Sequence, residues 1–226
     1  MRHLYIKIPK FKTLNIIAAT VLSTLFLSGI IIIKNINKEY SLRKIAGNLQ
    51  EFKYATLSFN NIYSGLPGDI TNAGFYWKDV TQNGNADRKI EHEAGEGIAA
   101  FQQLQLAQLI RLPYELTGKW GSDEGVLLPE VNVPGEKASD TGYYFNYSEN
   151  LGTNIFSYGR LDNNAGIIDK PALTPSEAYI LDLMIDDGYP AKGNIIAATN
   201  SSSGCFIAGE YKKENERREC ILFFKL

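Results

Sequence analysis

The chain has 226 residues, with 23 basic against 25 acidic side chains, a formal charge of -2 and 44% hydrophobic residues. That length and apolar content suffice for the core of one or two domains. The missing basic excess excludes nucleic acid as the main partner, and 20 glycines with 8 prolines exclude collagen-like and low-complexity chains.

At the N-terminus Arg2, Lys7, Lys10 and Lys12 precede an uncharged run of eighteen residues, Ile16 to Ile33, and no acid occurs before Glu39. As a helix that run is roughly 27 Å long, enough to cross a hydrocarbon core. The basic flank predicts a cytoplasmic N-terminus, with the bulk of the chain on the far side. Lys34, Lys38, Arg43 and Lys44 follow the run and reduce the asymmetry. A retained anchor is expected, because a secretory signal has an apolar core of about 7–15 residues and a small-residue cleavage site. A removed signal is the competing reading. The expected organisation is residues 1–13 as a cytoplasmic tail or leader, 14–35 as the membrane helix and 36–226 as the globular domain.

The helical pattern continues beyond the apolar run. Leu42, Ile45, Leu49, Phe52, Phe59 and Ile62 recur at helical spacing, with Lys38, Glu39, Arg43, Lys44 and Lys53 largely between them. This predicts one long helix, half apolar and half amphipathic, that ends near Ser64-Gly65-Leu66-Pro67-Gly68. A break around Asn35-Ile36-Asn37, giving two helices, stays open.

After Pro67 a helix is predicted from Gly95 to Leu112, where Pro113 stops it. Strands are predicted at Gly125–Leu128, Gly142–Tyr147, Thr153–Tyr158, Ile195–Ala198, Cys205–Ala208 and Ile221–Phe224. A short helix over Pro175–Ile185 carries a capping box, Thr174 with Glu177. The fold class is therefore α+β, a long N-terminal helix packed on a mainly antiparallel sheet. Cys205 and Cys220 are the only cysteines, and a hairpin between their strands would bring them together. Either they form that bridge or they are two buried thiols. The charged run Lys212 to Glu219 between them reads as a solvated turn.

Two further stretches carry a resemblance. Tyr63-Ser-Gly-Leu66-Pro67-Gly68-Asp69-Ile-Thr-Asn72-Ala73 precedes an Asn/Gly/Asp loop, then Glu96 and Gln103-Leu104-Gln-Leu-Ala107-Gln-Leu-Ile110. Leu173-Thr-Pro175-Ser-Glu-Ala178 is followed by Asp182, Ile185-Asp186-Asp187-Gly188-Tyr-Pro190 and Gly193. Together they resemble the paired motifs of type IV pilin-like and type II secretion pseudopilin-like proteins with a prepilin-type N-terminal helix. The resemblance implies a single-pass subunit of the bacterial inner membrane, with a periplasmic, pilin-like head and no catalysis. Its partners would be the membrane and like subunits, met through the N-terminal helix. It also implies that a C-terminal cysteine pair closes a region used in subunit contacts. The chain departs from the family's cleavage box, with Phe11 in the place of Gly and Ile16 in the place of Glu. A carboxylate in that membrane region would pair with a neighbour's amine during assembly. Its absence keeps a second reading open, a non-polymerising, tethered periplasmic binding module.

Chemistry is sparse. No cofactor is expected, with a structural calcium ion as the sole candidate. Asn83, Asn85 and Asp87 occupy positions one, three and five of a calcium-type loop with Ile90 at eight, but Arg88 replaces the turning glycine and Ala94 the closing acid. A polar turn is the plainer reading. Asp182, Asp186 and Asp187 form a second cation candidate, since some pseudopilins carry calcium, and Asp186-Asp187-Gly188 reads equally as a turn. The histidines are His3 and His92, the latter reading as an exposed polar residue. Ser201-Ser202-Ser203-Gly204 lacks the strand-turn-helix setting of a hydrolase nucleophile. Asp69 reads as a turn cap. Of the aromatic cluster Tyr143, Tyr144, Phe145 and Tyr147, one alternating half reads as core.

Overall fold

The computed structural model describes residues 11–78, 81–117, 126–162, 167–198 and 204–226, with side chains of the first helix described from Ala19 onward. Arg2, Lys7 and Lys10 of the basic tail, Gly125 at the start of one predicted strand, and Ser201 to Ser203 lie outside the described residues. The chain divides into two compact units, Met1–Arg43 and Lys44–Leu226.

Helix α1 runs unbroken over Phe11–Tyr63, so the alternative of a break near Asn35 does not hold. From Val21 to Ile36 the large apolar side chains are exposed, Leu22 and Phe26 each at 72%. The described part of the helix is long and apolar enough to cross a membrane. Three hydroxyls of the apolar run bond within the helix. Ser23, Thr24 and Ser28 donate their hydroxyls to carbonyls three residues back at 2.8, 2.8 and 2.9 Å, which is how hydroxyls persist in an apolar helix. The stripe of Leu42, Ile45, Leu49, Phe52 and Phe59 is buried, whereas Ile62, one turn from the end, is 61% exposed. Ser64 stops the helix with a left-handed φ of 59°.

In the second unit the sheet is built from β1 (Gly135–Glu136), β2 (Thr141–Ser148), β3 (Thr153–Asp162), β4 (Ile167–Lys170), β5 (Ile195–Ala198) and β8 (Ile221–Lys225). The order is β1-β2-β3-β8-β5, with β4 also on β3, and every pairing is antiparallel. A separate ribbon pairs β6 (Phe206–Ile207) with β7 (Glu210–Tyr211). Helices α2 (Ala73–Tyr76), α3 (Glu96–Leu106) and α4 (Pro175–Ile185) complete the unit. The protein is α+β.

The core forms where α1 and α3 meet β2 and β3. Phe52 meets Phe101 at 5.2 Å and Tyr143 at 5.1 Å, both edge-on, while Phe145 stacks on Phe156 at 4.2 Å. Rings in such offset and edge-on contacts add to the burial of their area. Helix α3 comes close enough to β2 that a Cβ on Gly97 would strike the carbonyl of Phe145. Only glycine fits there.

Several expected boundaries differ. The helix expected to reach Leu112 ends at Leu106, because Gln108 turns left-handed at φ 59°. The amides of Gln108 and Leu109 then donate to the carbonyls of Gln105 and Leu104, both at 2.9 Å. That is a Schellman closure with glutamine at the usual glycine position. No strand forms over 126–128. The expected hairpin joining Cys205–Ala208 to Ile221–Phe224 does not form either. Phe206 and Ile207 instead fold onto β7 through Ala208 and Gly209, both at positive φ, while β8 inserts between β3 and β5.

Candidate functional site

The first motif is a docking corner. Gly68 takes a φ of 86°, its amide donates to Gln103 Oε1 at 2.7 Å, and a Cβ there would strike the carbonyl of Glu96. Leu66, Pro67 and Asp69 are buried beside it, Ala73 is buried in α2, and exposed Asn72 precedes that helix. The motif's conformation thus holds the end of α1 against α3.

The loop that carries Asn83, Asn85 and Asp87 lies on this corner. Gly84 donates its amide to Ile70 O at 2.9 Å and Ala86 to Asp69 O at 2.8 Å. Asp69 accepts the Arg88 amide on Oδ2 at 2.8 Å. Glu96, at the first turn of α3, accepts the Glu91 amide on Oε2 at 2.9 Å. Asp69 and Glu96 are 2% and 1% exposed. Burial raises the pKa of both carboxyls above the ordinary range, and the charge of Asp69 raises that of Glu96 further. The three loop candidates do not act as one set: Asn83 turns away, its Oδ1 accepting the Gly74 amide at 3.0 Å.

The second motif places Pro175 in the first turn of α4. Its capping box is formed: Thr174 Oγ1 accepts the Glu177 amide at 3.3 Å and Glu177 Oε2 accepts the Thr174 amide at 2.9 Å. Asp182, Asp186 and Asp187 come together, with oxygens within 4.8 Å of one another. Each already serves the loop after α4. Asp182 is fully buried and accepts the Gly188 amide at 3.1 Å and the Tyr211 hydroxyl at 2.7 Å. Asp186 accepts the Asn194 and Ile195 amides, and Asp187 accepts that of Tyr189. Burial, offset by those hydrogen bonds and reinforced by the two neighbouring acids, raises the Asp182 pKa to about 6. Gly188 holds the turn at φ 76°, and Pro190 is buried with its carbonyl accepting from Ala197 at 2.8 Å. The trio is a loop staple whose oxygens are also close enough to share a cation.

Cys205 and Cys220 form a disulfide with Cα atoms 5.1 Å apart, both fully buried. The bridge ties the bend before β6 to the start of β8, which in turn pairs Cys220 with Leu173. His92 is half-buried, contrary to expectation. Its Nδ1 and the Tyr144 hydroxyl share a hydrogen bond, and burial lowers its pKa. Tyr143, Tyr144 and Phe145 are all buried, so both faces of β2 are covered at this point, where an alternating half was expected.

One feature escaped the sequence. A cavity of about 750 Å³ opens beside the end of α3, lined by Gln102, Gln105, Arg111, Tyr114 and their neighbours. Its wall is the turn that follows the early end of α3, in a segment read as continuous helix. Comparison with protein-family models, curated proteins and solved structures returns no match to this chain.

Proposed function

We propose that this protein is a membrane-anchored, pilin-like or pseudopilin-like structural subunit of a type IV pilus or type II secretion system. The observation that carries the reading is a single helix, Phe11–Tyr63, with exposed apolar side chains from Val21 to Ile36 and a buried apolar stripe from Leu42 to Phe59. Exposed Leu, Ile and Phe side chains in this quantity call for lipid or for like helices as their surroundings. The N-terminus faces the cytoplasm and the head lies in the periplasm of a bacterial inner membrane. The basic flank supports that topology through the positive-inside rule, and the disulfide supports it because such bridges persist in oxidising compartments. The head acts by contact with other subunits and performs no catalysis.

A second reading, a tethered periplasmic binding module that does not polymerise, is favoured by Phe11 and Ile16 at the cleavage-box positions. Sequencing the N-terminus of protein purified from membranes decides between them. A mature chain starting at Lys12, together with crosslinked ladders of like subunits, is the outcome expected for assembly. An intact Met1 with monomers alone selects the tethered module. Recovery of the chain in a soluble fraction would remove both.

A further inference from the structure

The cavity beside the end of α3 is built by one stretch of chain. Past Leu106 the backbone turns at Gln108, and the segment 111–116 is strapped back onto the helix. Gln105 holds it with both ends of its carboxamide, Nε2 donating to Tyr114 O at 2.6 Å and Oε1 accepting the Leu116 amide at 2.8 Å. Gln102, three residues earlier, donates from Nε2 to Leu116 O at 3.3 Å. The strap is pinned from its other side too. The Tyr114 hydroxyl donates to Gly135 O at 3.3 Å and accepts the Gly135 amide at 3.1 Å. The cavity of about 750 Å³ lies against this strap, a size within the range of small-molecule sites.

Several polar groups that line it are not used by the fold. Gln102 is only 5% exposed, and its Oε1 has no hydrogen-bond partner. A buried carboxamide oxygen is destabilising until an O–H or N–H reaches it. Arg111 and Glu115 line the same cavity, are exposed, and have no ion-pair partner among the described residues. Exposed Gln108 joins them. These groups are planar and two-pronged: a guanidinium with paired donors, a carboxylate with paired acceptors, a carboxamide with one of each. Adjacent hydroxyls, each donor and acceptor at once, match all three. The two charges are opposite in sign, so together they select no net charge in the ligand. Leu106, Leu112 and the Tyr114 ring add apolar surface for the C–H face of a sugar ring. An extended peptide fits less well. It would pair with the main chain of the strap, but Tyr114 O and Leu116 N are taken by Gln105, Leu116 O by Gln102, and Pro113 has no N–H.

We propose that this cavity is a saccharide-binding site, in which Gln108, Arg111 and Glu115 clamp neighbouring hydroxyls and Gln102 Oε1 accepts a further one. The site stands apart from the Asp182 cluster and rests on neither reading of how the chain functions.

The test uses the full-length chain in a detergent without a sugar headgroup. It is applied to an array of immobilised mono- and oligosaccharides, with a library of short peptides screened in parallel. The saccharide retained most strongly is then titrated calorimetrically against wild-type and variant chains. Binding at one site per chain is expected, weakened about tenfold in Arg111→Ala and in Glu115→Ala with melting temperatures unchanged. Gln102→Leu should weaken it as well, and should that buried variant fail to fold, the two exposed ones decide. Retention of no saccharide overturns the proposal, as does an affinity that survives both exposed substitutions. Retention of peptides alone, lost in the same variants, also overturns it and makes the cavity a peptide site.

Discussion

A fully buried carboxyl such as that of Asp182 makes stability depend on pH in a direction that can be worked out. Its pKa in the folded chain, about 6, lies above that of an unfolded aspartate. The folded state therefore holds the proton more tightly, and the associated stabilisation is complete below about pH 4 and lost as the pH rises through 6. The effect is on the order of 3 kcal/mol. Asp69 and Glu96, also shifted upward, slope the same way. Melting temperatures between pH 4 and pH 8, measured in EGTA, should fall with rising pH, and Asp182→Asn should flatten that slope; an equal slope in both chains counts against the assignment. The sequence marked Asp182 only as a member of an acidic cluster. It could not show that Tyr211, twenty-nine residues on, brings its hydroxyl to this carboxylate. Asp69 was legible as a turn residue for the same reason: Pro-Gly-Asp is a local signal, whereas burial under Gly84 and Arg88 is a tertiary one. His92 was misjudged on those grounds, since its partner Tyr144 lies fifty-two residues away.

Elements governed by local chemistry were read well. The capping box of Thr174 and Glu177 set the start of α4, and Thr174→Ala should lower stability by about 1 kcal/mol in thermal or urea unfolding. Strands β2, β3, β5 and β8 were located from their aromatic and β-branched residues. The errors fall where a residue other than the usual one fills a special conformation. Gln108 closes α3 in the left-handed position that glycine ordinarily takes, so Pro113 was taken as the stop. Gln108→Gly should relieve that conformation and stabilise the chain by about 0.5–1 kcal/mol, seen as a raised melting temperature; a fall would mean that the Gln108 side chain contributes more than its backbone costs. The β6–β7 turn is a second case. Ala208 and Gly209 both adopt positive φ, 50° and 83°, in the manner of a tight hairpin turn. Without the Asn-Gly or Asp-Gly signature, the stretch was read as one strand extending to Ala208.

For the molecule as a whole, the long helix with an amphipathic second half and the antiparallel sheet were legible because hydrophobic spacing specifies them. The sheet order was not, because nothing local tells β8 to enter between β3 and β5. Phe52, in contact with rings from α3, β2 and β3, is the test of that core. Phe52→Ala should cost about 3–5 kcal/mol and unfold the head well below the wild-type temperature. The disulfide closes a separation of 15 residues. Cys205→Ser should cost about 3 kcal/mol under oxidising conditions and, unlike the wild-type chain, show no further loss when reductant is added. Finally, β8 spans Ile221–Lys225 between β3 and β5, and the Leu226 amide after it donates to the Asn154 carbonyl at 3.0 Å. The strand latest in the sequence of the sheet is thus the one that joins its two halves. Without β8, the β3 and β5 edges that it pairs would be open, and open strand edges invite misassociation. The sheet cannot close until β8 has threaded between its neighbours, so proteolysis just before Ile221 strikes at the centre of the fold rather than at its margin.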